Sequence, residues 1–248
     1  MIAEAAERVR AAKAVAVLTG AGVSAESGVP TFRGEGGLWR QFRAEDLATP
    51  QALARDPYLV WEWYDWRRQK IAACRPNPAH HALAALESRA QEFLLITQNI
   101  DDLHRKAGSR RLVELHGNIW RVRCVREGTV SDLPDAPLRE VPPRCGCGAL
   151  LRPDVVWFGE ALPADTLERA FKASETCDLF LVVGTSALVQ PAASLPLMAK
   201  RNGATVIEVN PEPTPLSDRV DICLHGKAGE ILSALLAALD GRPAPSKT

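Results

Sequence analysis

Apolar residues along this chain gather in short runs separated by amphipathic stretches and turn-forming residues. Ala14–Leu18, Glu92–Thr97, Asp178–Gly184 and Thr205–Val209 are largely apolar or β-branched, and Val220–Leu224 is a weaker fifth run. Such runs predict buried strands, because a strand covered on both faces needs apolar residues at successive positions, not only at alternate ones. Helical periods fill the intervals at Ala79–Arg89, Ala164–Ser174, Ala192–Arg201 and Gly229–Leu239, and the stretch from Met1 reads as an amphipathic helix entering the first strand. Strands alternating with helices predict an α/β fold: a Rossmann-like, doubly wound parallel sheet with helices on both faces.

Two regions break the alternation. Residues 38–77 form a helical insertion rich in tryptophan (Trp39, Trp61, Trp63, Trp66), and residues 121–153 are rich in Pro, Gly, Arg and Cys with little helical or strand period. The second region holds too few apolar residues for a core of its own, and small lobes of that kind are usually stapled, most often by a metal. The expected organisation is a single catalytic domain. Its large lobe is assembled from about residues 1–37, 78–120 and 154–240, and its small zinc-ribbon-like and helical lobe from the two insertions, with residues 241–248 a disordered tail.

The length of 248 residues suits one such domain, and 46% apolar residues supply a sizeable core. Thirty basic and thirty acidic side chains cancel, which argues against a dedicated binder of nucleic acid or of membrane surfaces. No apolar stretch reaches the roughly 18 residues of a membrane span. The N-terminal stretch lacks the pattern of a signal peptide, and the six cysteines are scattered apart from Cys145 and Cys147. A cytoplasmic protein with reduced thiols is expected.

In doubly wound sheets ligands gather at the carboxyl ends of the strands. The polar motifs fall there: the segment from Thr19 to Gly34, then Gln98-Asn99-Ile100-Asp101, Gly184-Thr185-Ser186 and Asn210-Pro211-Glu212. Gly20-Ala21-Gly22-Val23-Ser24-Ala25 fits the G-x-G-x-x-G/A turn that lets a backbone approach a pyrophosphate. Its sequel departs from a dehydrogenase. In place of a steady helix and a ribose-binding acid, the chain delivers Glu26, Thr31, Phe32, Arg33 and Gly34-Glu35-Gly36-Gly37, which reads as a mobile loop over a ligand. His116, after the apolar Leu112–Leu115, reads alone as a structural imidazole, and beside a nucleotide site as a general base. Asn99 and Asp101 alone read as turn or cap residues.

Six ordered motifs resemble those of the sirtuins: GAGVSAESGVPTFRG (Gly20–Gly34), TQNIDDLH (Thr97–His104), LHGN (Leu115–Asn118), VVWFGE (Val155–Glu160), GTSALVQPA (Gly184–Ala192) and VNPE (Val209–Glu212). The resemblance spans nearly the whole chain. It implies an NAD-dependent protein-lysine deacylase, a monomer acting on acyl-lysine proteins or peptides, which moves the acyl group to ADP-ribose and releases nicotinamide. It places His116 as the general base and Asn99 and Asp101 in the nicotinamide pocket, with Ile100 beside them and Gln98 near the ribose. Gly20, Ala21, Gly22, Ser24, Ala25, Glu26, Thr31, Phe32, Arg33 and Trp39 belong to the cofactor turn and loop. Gly184, Thr185, Ser186, Asn210, Pro211 and Glu212 hold the phosphates and the adenosine ribose, with Ala228 near the adenine.

The pair Tyr64 and Arg67, three residues apart on one helix face, resembles the class III sirtuins, which implies recognition of succinyl, malonyl or glutaryl groups over acetyl. The alternative is a packed aromatic helix with a surface arginine. Val155, Trp157, Phe158 and Gly159 resemble the segment that clamps the substrate backbone as an added strand, and Asp154 replaces a histidine often found in class III. Sirtuins carry two cysteine pairs around structural zinc. Here Cys124 is followed by Glu127 where the second cysteine belongs, and Cys145 and Cys147 stand one residue closer than usual. Three thiolates with Glu127 as fourth zinc ligand, or a lobe folded without metal, are both compatible with the sequence. A deacetylase with broad acyl preference, protein mono-ADP-ribosyl transfer and a non-catalytic NAD or ADP-ribose sensor are the other functional readings.

Overall fold

The computed structural model describes residues 1–30 and 44–242. Six parallel strands form the main sheet: β1 (Ala14–Thr19), β2 (Glu92–Thr97), β3 (Leu112–Glu114), β7 (Leu179–Val183), β8 (Thr205–Asn210) and β9 (Ile222–His225), in the order β3-β2-β1-β7-β8-β9. The central strand β1 pairs Thr19 with Thr97 on one side and with Val183 on the other, so three strand ends lie level. Its side chains alternate across the sheet. Val15 and Val17 pack under α1 (Ile2–Ala11), α6 (Pro78–Glu87) and α10 (Ala228–Leu239), while Ala16 and Leu18 face α8 (Ala164–Thr176) and α9 (Leu195–Arg201). Burial on both faces is why these strands are continuously apolar. No described helix is long and apolar enough to cross a membrane.

The short helices α2 (Ala21–Ala25) and α7 (Leu103–Lys106) follow β1 and β2. The helical insertion is α3 (Ala44–Leu47), α4 (Pro50–Arg55) and α5 (Pro57–Ala72), with Thr49 and Asp56 as side-chain N-caps of α4 and α5 ahead of a proline at each first turn.

The region expected to lack regular structure holds an antiparallel sheet of β4 (Gly117–Cys124), β5 (Val130–Asp132) and β6 (Leu151–Val155), in the order β5-β4-β6. Its strands escape a pattern search because β5 is three exposed residues long and the β4–β6 register shifts between Gly117 and Val122. Nor does this lobe lack a core. The helical insertion provides one, Leu47, Val60, Trp61, Tyr64 and Ile71 packing with Ile119, Val122, Val155 and Trp157. Polar ties from α5 reinforce it. Trp61 Nε1 donates to the Leu151 carbonyl at 2.8 Å, Asp65 accepts from the Leu138 N–H at 2.8 Å, and the fully buried Arg68 donates to the carbonyls of Ile119, Leu133 and Asp135.

Candidate active site

At the end of β1 the chain turns at Gly20 into α2. The Gly22 N–H donates to the Gly184 carbonyl at 2.8 Å, and a Cβ on Gly22 would stand only 2.8 Å from that oxygen. Gly184 has φ +58°, and a Cβ there would come within 2.5 Å of the Val23 nitrogen. These glycines are therefore required by the backbone contact between the two strand ends, whatever ligand the turn also accommodates.

Four segments meet in one hydrogen-bonded string. Thr185 Oγ1 accepts from Gln98 Nε2 at 3.0 Å, the Gln98 carbonyl accepts from His116 Nδ1 at 2.9 Å, and the His116 carbonyl accepts from the Val156 N–H at 3.0 Å. His116 is thereby fixed as the Nδ1–H tautomer with Nε2 left as the basic atom. Burial lowers its pKa, against which the Gln98 carbonyl acts in part, so the imidazole is neutral at pH 7 and competent to take a proton.

Beside it lies a pocket lined by Ala21, Ser24, Arg67, Asn99, Ile100 and Asp101, with Val29 and Pro30. Asn99 spends its amide N–H groups on Gly20 O and Ser24 Oγ, both at 3.0 Å, which leaves its carbonyl oxygen to meet a ligand. Asp101 Oδ1 accepts from the Leu103 N–H at 2.9 Å; burial raises its pKa, opposed by that bond and by Ser24. Under the pocket lie two histidines that pattern reasoning did not single out. His80 Nε2 is 3.4 Å from Ser24 Oγ, and its ring lies 4.8 Å from that of His104, whose Nε2 reaches Thr19 Oγ1 at 3.0 Å. Burial lowers both pKa values, His80 to about 4. The available signals were His104 inside TQNIDDLH and the Asn77-x-x-His80 capping box that opens α6.

Tyr64 and Arg67 are both buried, which excludes the surface-arginine alternative. Tyr64 Oη accepts from Trp157 Nε1 at 2.8 Å, so its own proton is available to an acceptor. Burial pushes the phenol up to about 12 despite nearby Arg67, keeping it a donor at every physiological pH. The Arg67 guanidinium stacks 4.9 Å above Trp63; burial lowers its pKa, opposed by Tyr64 and Asp101.

In the strand-addition segment, Val155 and Trp157 are core residues, whereas Phe158 is exposed. The N–H groups of Val156, Trp157 and Phe158 are taken by His116 O, Glu160 Oε2 and Ala48 O. These N–H groups are thus used within the fold, and the chain turns at Gly159, which has φ +85°. Exposed Leu188 and Val189 follow Ser186 in the loop after β7.

The remaining expected ligands are more dispersed. Glu26 directs its carboxylate to the Gly229 N–H at 3.0 Å, at the start of α10 beside buried Ala228. Asn210 donates to the Glu212 carbonyl at 3.2 Å, and Pro211 and Glu212 are exposed after β8. Thr31, Phe32, Arg33, Trp39 and the glycine loop lie outside the described residues, as do positions 243–248 of the tail.

In the small lobe Cys124, Glu127, Cys145 and Cys147 bring their ligand atoms within 4.8 Å of one another. Cys124 Sγ to Cys147 Sγ is 3.6 Å and Cys145 Sγ to Glu127 Oε2 is 3.8 Å, against edges of about 3.8 Å for four sulfurs tetrahedral around zinc at 2.3 Å. The donors fit a structural zinc site of three thiolates and one carboxylate. Of the other cysteines, Cys74 and Cys177 are buried. Cys223 is half-buried, with Sγ 3.3 Å from the Ser217 carbonyl.

The Sir2 family model matches residues 20–191. The chain belongs to the Sir2 family. An NAD-dependent protein deacylase of Aquifex aeolicus (strain VF5) is 57% identical over 215 residues, covering 86% of this chain and 90% of its own length. One from Thermococcus kodakarensis is 52% identical over 243 residues, with 95% of each chain covered. Among solved structures, a Sir2 homologue–NAD complex superposes with TM-score 0.92 at 50% identity, covering 96% of this chain and 93% of the other. Sir2Af2 bound to a myristoylated histone peptide gives TM-score 0.79 at 37% identity, covering 97% and 96%. Tyr64 and Arg67, the pair whose spacing resembles class III, both lie on α5 of this Sir2 protein and are buried.

Proposed function

We propose that this Sir2-family enzyme is an NAD-dependent protein-lysine deacylase that favours acyl groups ending in a carboxylate. The observation that carries the first part is the position of His116. Its neutral imidazole is held through Nδ1 by the carbonyl of Gln98, next in sequence to the pocket residue Asn99, and its backbone carbonyl accepts from Val156, just after β6. NAD, as co-substrate, supplies the ribose that receives the acyl group and nicotinamide as the group released. Asn99 and Asp101 orient the carboxamide, Gln98 and Thr185 sit toward the ribose, and His116 takes the proton of the ribose hydroxyl that is activated. The acidic-acyl preference is supported by Tyr64 and Arg67. A buried guanidinium beside a buried phenol that stays protonated suits a carboxylate, which the phenol can meet with a hydrogen bond and the arginine with charge. The myristoyl-peptide complex of a relative at 37% identity makes a long apolar chain the rival group to test.

The test is nicotinamide release, with mass spectrometry of the product, on one peptide carrying succinyl-, glutaryl-, acetyl- or myristoyl-lysine. Loss of the acyl mass is expected; a gain of ADP-ribose on protein overturns deacylation in favour of transfer. His116→Ala should lower turnover of every peptide by ~10²–10⁴-fold. Arg67→Met should lower kcat/KM for the succinyl peptide by ~10–100-fold, the worth of a charge-assisted hydrogen bond, and for the acetyl peptide far less. Equal losses on both overturn the acyl preference and leave deacylation standing.

A further inference from the structure

A second cleft, of about 720 Å³, shares no residue with the pocket around Asn99 and Asp101. Its walls come from β3, β4, β6 and the first half of α8, and it includes Val155, Val156 and Glu160 of the strand-addition segment. Five arginines line it: Arg105, Arg121, Arg123, Arg152 and Arg169. Arg152 is committed elsewhere. It grips both oxygens of Glu160, at 2.5 and 2.8 Å, and stacks 3.6 Å above Trp157, which fixes the turn after that segment.

The others are arranged in depth. Asp154 accepts from Arg121 at 3.1 Å through one oxygen and from Arg123 at 2.8 Å through the other. Glu114 accepts from Asn118 at 2.7 Å and pairs with Arg105 and Arg121 at 3.4 Å. The two carboxylates are 6% and 11% exposed, while Arg105, Arg121 and Arg123 are 44%, 33% and 47% exposed. Buried anions thus hold three guanidinium groups from beneath, and what faces solvent is positive. Arg169 adds a fourth exposed cation on α8, with Asp165 the exposed acid of the same wall. A fixed guanidinium loses little freedom on meeting a carboxylate and keeps N–H donors beyond those already used.

We propose that this cleft binds an acidic stretch of the protein substrate flanking the modified lysine. The proposal rests on the acyl-lysine reading, since continuity with Val155 and Val156 is what makes the occupant the substrate. The basic character is local, in a chain of thirty cations and thirty anions, and four clustered arginines suit a short Asp/Glu run better than a nucleic-acid backbone.

The experiment compares an acyl-lysine peptide with neutral flanks against the same peptide with three glutamates added before or after the lysine. At low salt one acidic extension should lower KM by ~5-fold with kcat unchanged, as a few exposed ion pairs permit, and 0.5 M NaCl should erase the gain. The double variant Arg123→Gln/Arg169→Gln should lose the gain while turning over the neutral peptide like the parent. Equal KM values for all peptides overturn the proposal, as does a gain that survives in the variant. If no peptide is turned over, the deacylase reading has failed separately. Fluorescence anisotropy of the unacylated acidic peptide then decides the cleft: binding by the parent that the variant loses supports it, and equal or absent binding overturns it. A single-stranded oligonucleotide that binds the cleft more tightly than the acidic peptide also overturns it.

Discussion

The two lobes are held together by different means. In the large lobe each strand of the parallel sheet buries apolar side chains on both faces, and its hydrogen bonds run strand to strand. In the small lobe two distant chain segments meet, and much of what joins them is specific: one helix donating to strand and loop carbonyls, and four metal-ligating side chains converging. Spread-out apolar burial is tolerant, because each residue contributes about 1.5–3 kcal/mol and no single one decides the outcome. A lobe fastened at a few polar points is brittle. The sequence also provides a way to see the difference. The described tryptophans, Trp61, Trp63, Trp66, Trp120 and Trp157, fall in the small lobe or at its junction, so tryptophan fluorescence follows that region, while far-UV circular dichroism reports the whole fold.

Metal removal should break the comparison open most widely. Structural zinc sites supply apparent binding free energies of about 10–16 kcal/mol in small domains, and that energy is folding energy. The protein is expected to carry one zinc by metal analysis, held by Cys124, Glu127, Cys145 and Cys147. A strong chelator should melt the tryptophan signal at a temperature where most of the dichroism remains. Glu127→Ala should act in the same direction more weakly, because three thiolates persist. A metal-free preparation whose two signals melt together at an unchanged temperature would refute the zinc assignment.

Arg68 is the next largest lever. Its side chain is fully buried, stacks 5.1 Å from Trp120, and donates to three carbonyls on separate strands and loops. Burial lowers its pKa to about 10, so it remains charged at neutral pH. Arg68→Met keeps much of the volume but strands those carbonyls, and a loss of about 3–5 kcal/mol is expected, as for a broken buried charged network. Hydrogen exchange should rise across β4–β6 and α5 and stay low in β1, β2, β7 and β8. Exchange rising evenly over both lobes would show that the small lobe is not separately fastened.

The same contrast governs what could be read from residues alone. Strands β1, β2, β7 and β8 stand within a residue or two of their apolar runs, since burial on both faces writes itself continuously into sequence. Edge strand β3, with three residues, shows only as the short stretch Leu112–Leu115, and the sheet β4–β6 leaves no such trace. Gly117 illustrates why: its φ is +77°, and a Cβ would lie 2.2 Å from the Asp154 carbonyl, so a strand begins on a residue that reads as a turn. At the site, His116, Asn99 and Asp101 stood out because polar residues after a strand are conspicuous. The groups that set their chemistry did not. The carbonyl that fixes the His116 tautomer belongs to the backbone of Gln98, and a backbone atom has no sequence signature. His80 lies in a helix and touches Ser24 only through the fold. Arg121, Arg123 and Asp154 look like ordinary surface charges until the strands pair.

The smallest expected effect sharpens the comparison from the large-lobe side. Burial holds His80 at about pKa 4, with the His81 charge a lesser cause, against an ordinary value of 6.5. The folded state therefore binds fewer protons than the unfolded state between those values, and stability must fall as pH drops below about 6.5. For His80 alone the loss from pH 7 to pH 5 is about 2 kcal/mol, and His104, also held low by burial, acts in the same direction. Below pH 4 no further loss comes from His80, since both states are then protonated. Urea unfolding followed by dichroism at the two pH values should show this in the parent. In His80→Gln the difference should shrink by about that amount, although the variant is less stable at pH 7 through loss of its capping-box contact with Asn77. An unchanged difference would mean that His80 gains its proton without cost to the sheet. The large lobe's sensitivity to acid would then have to come from other groups.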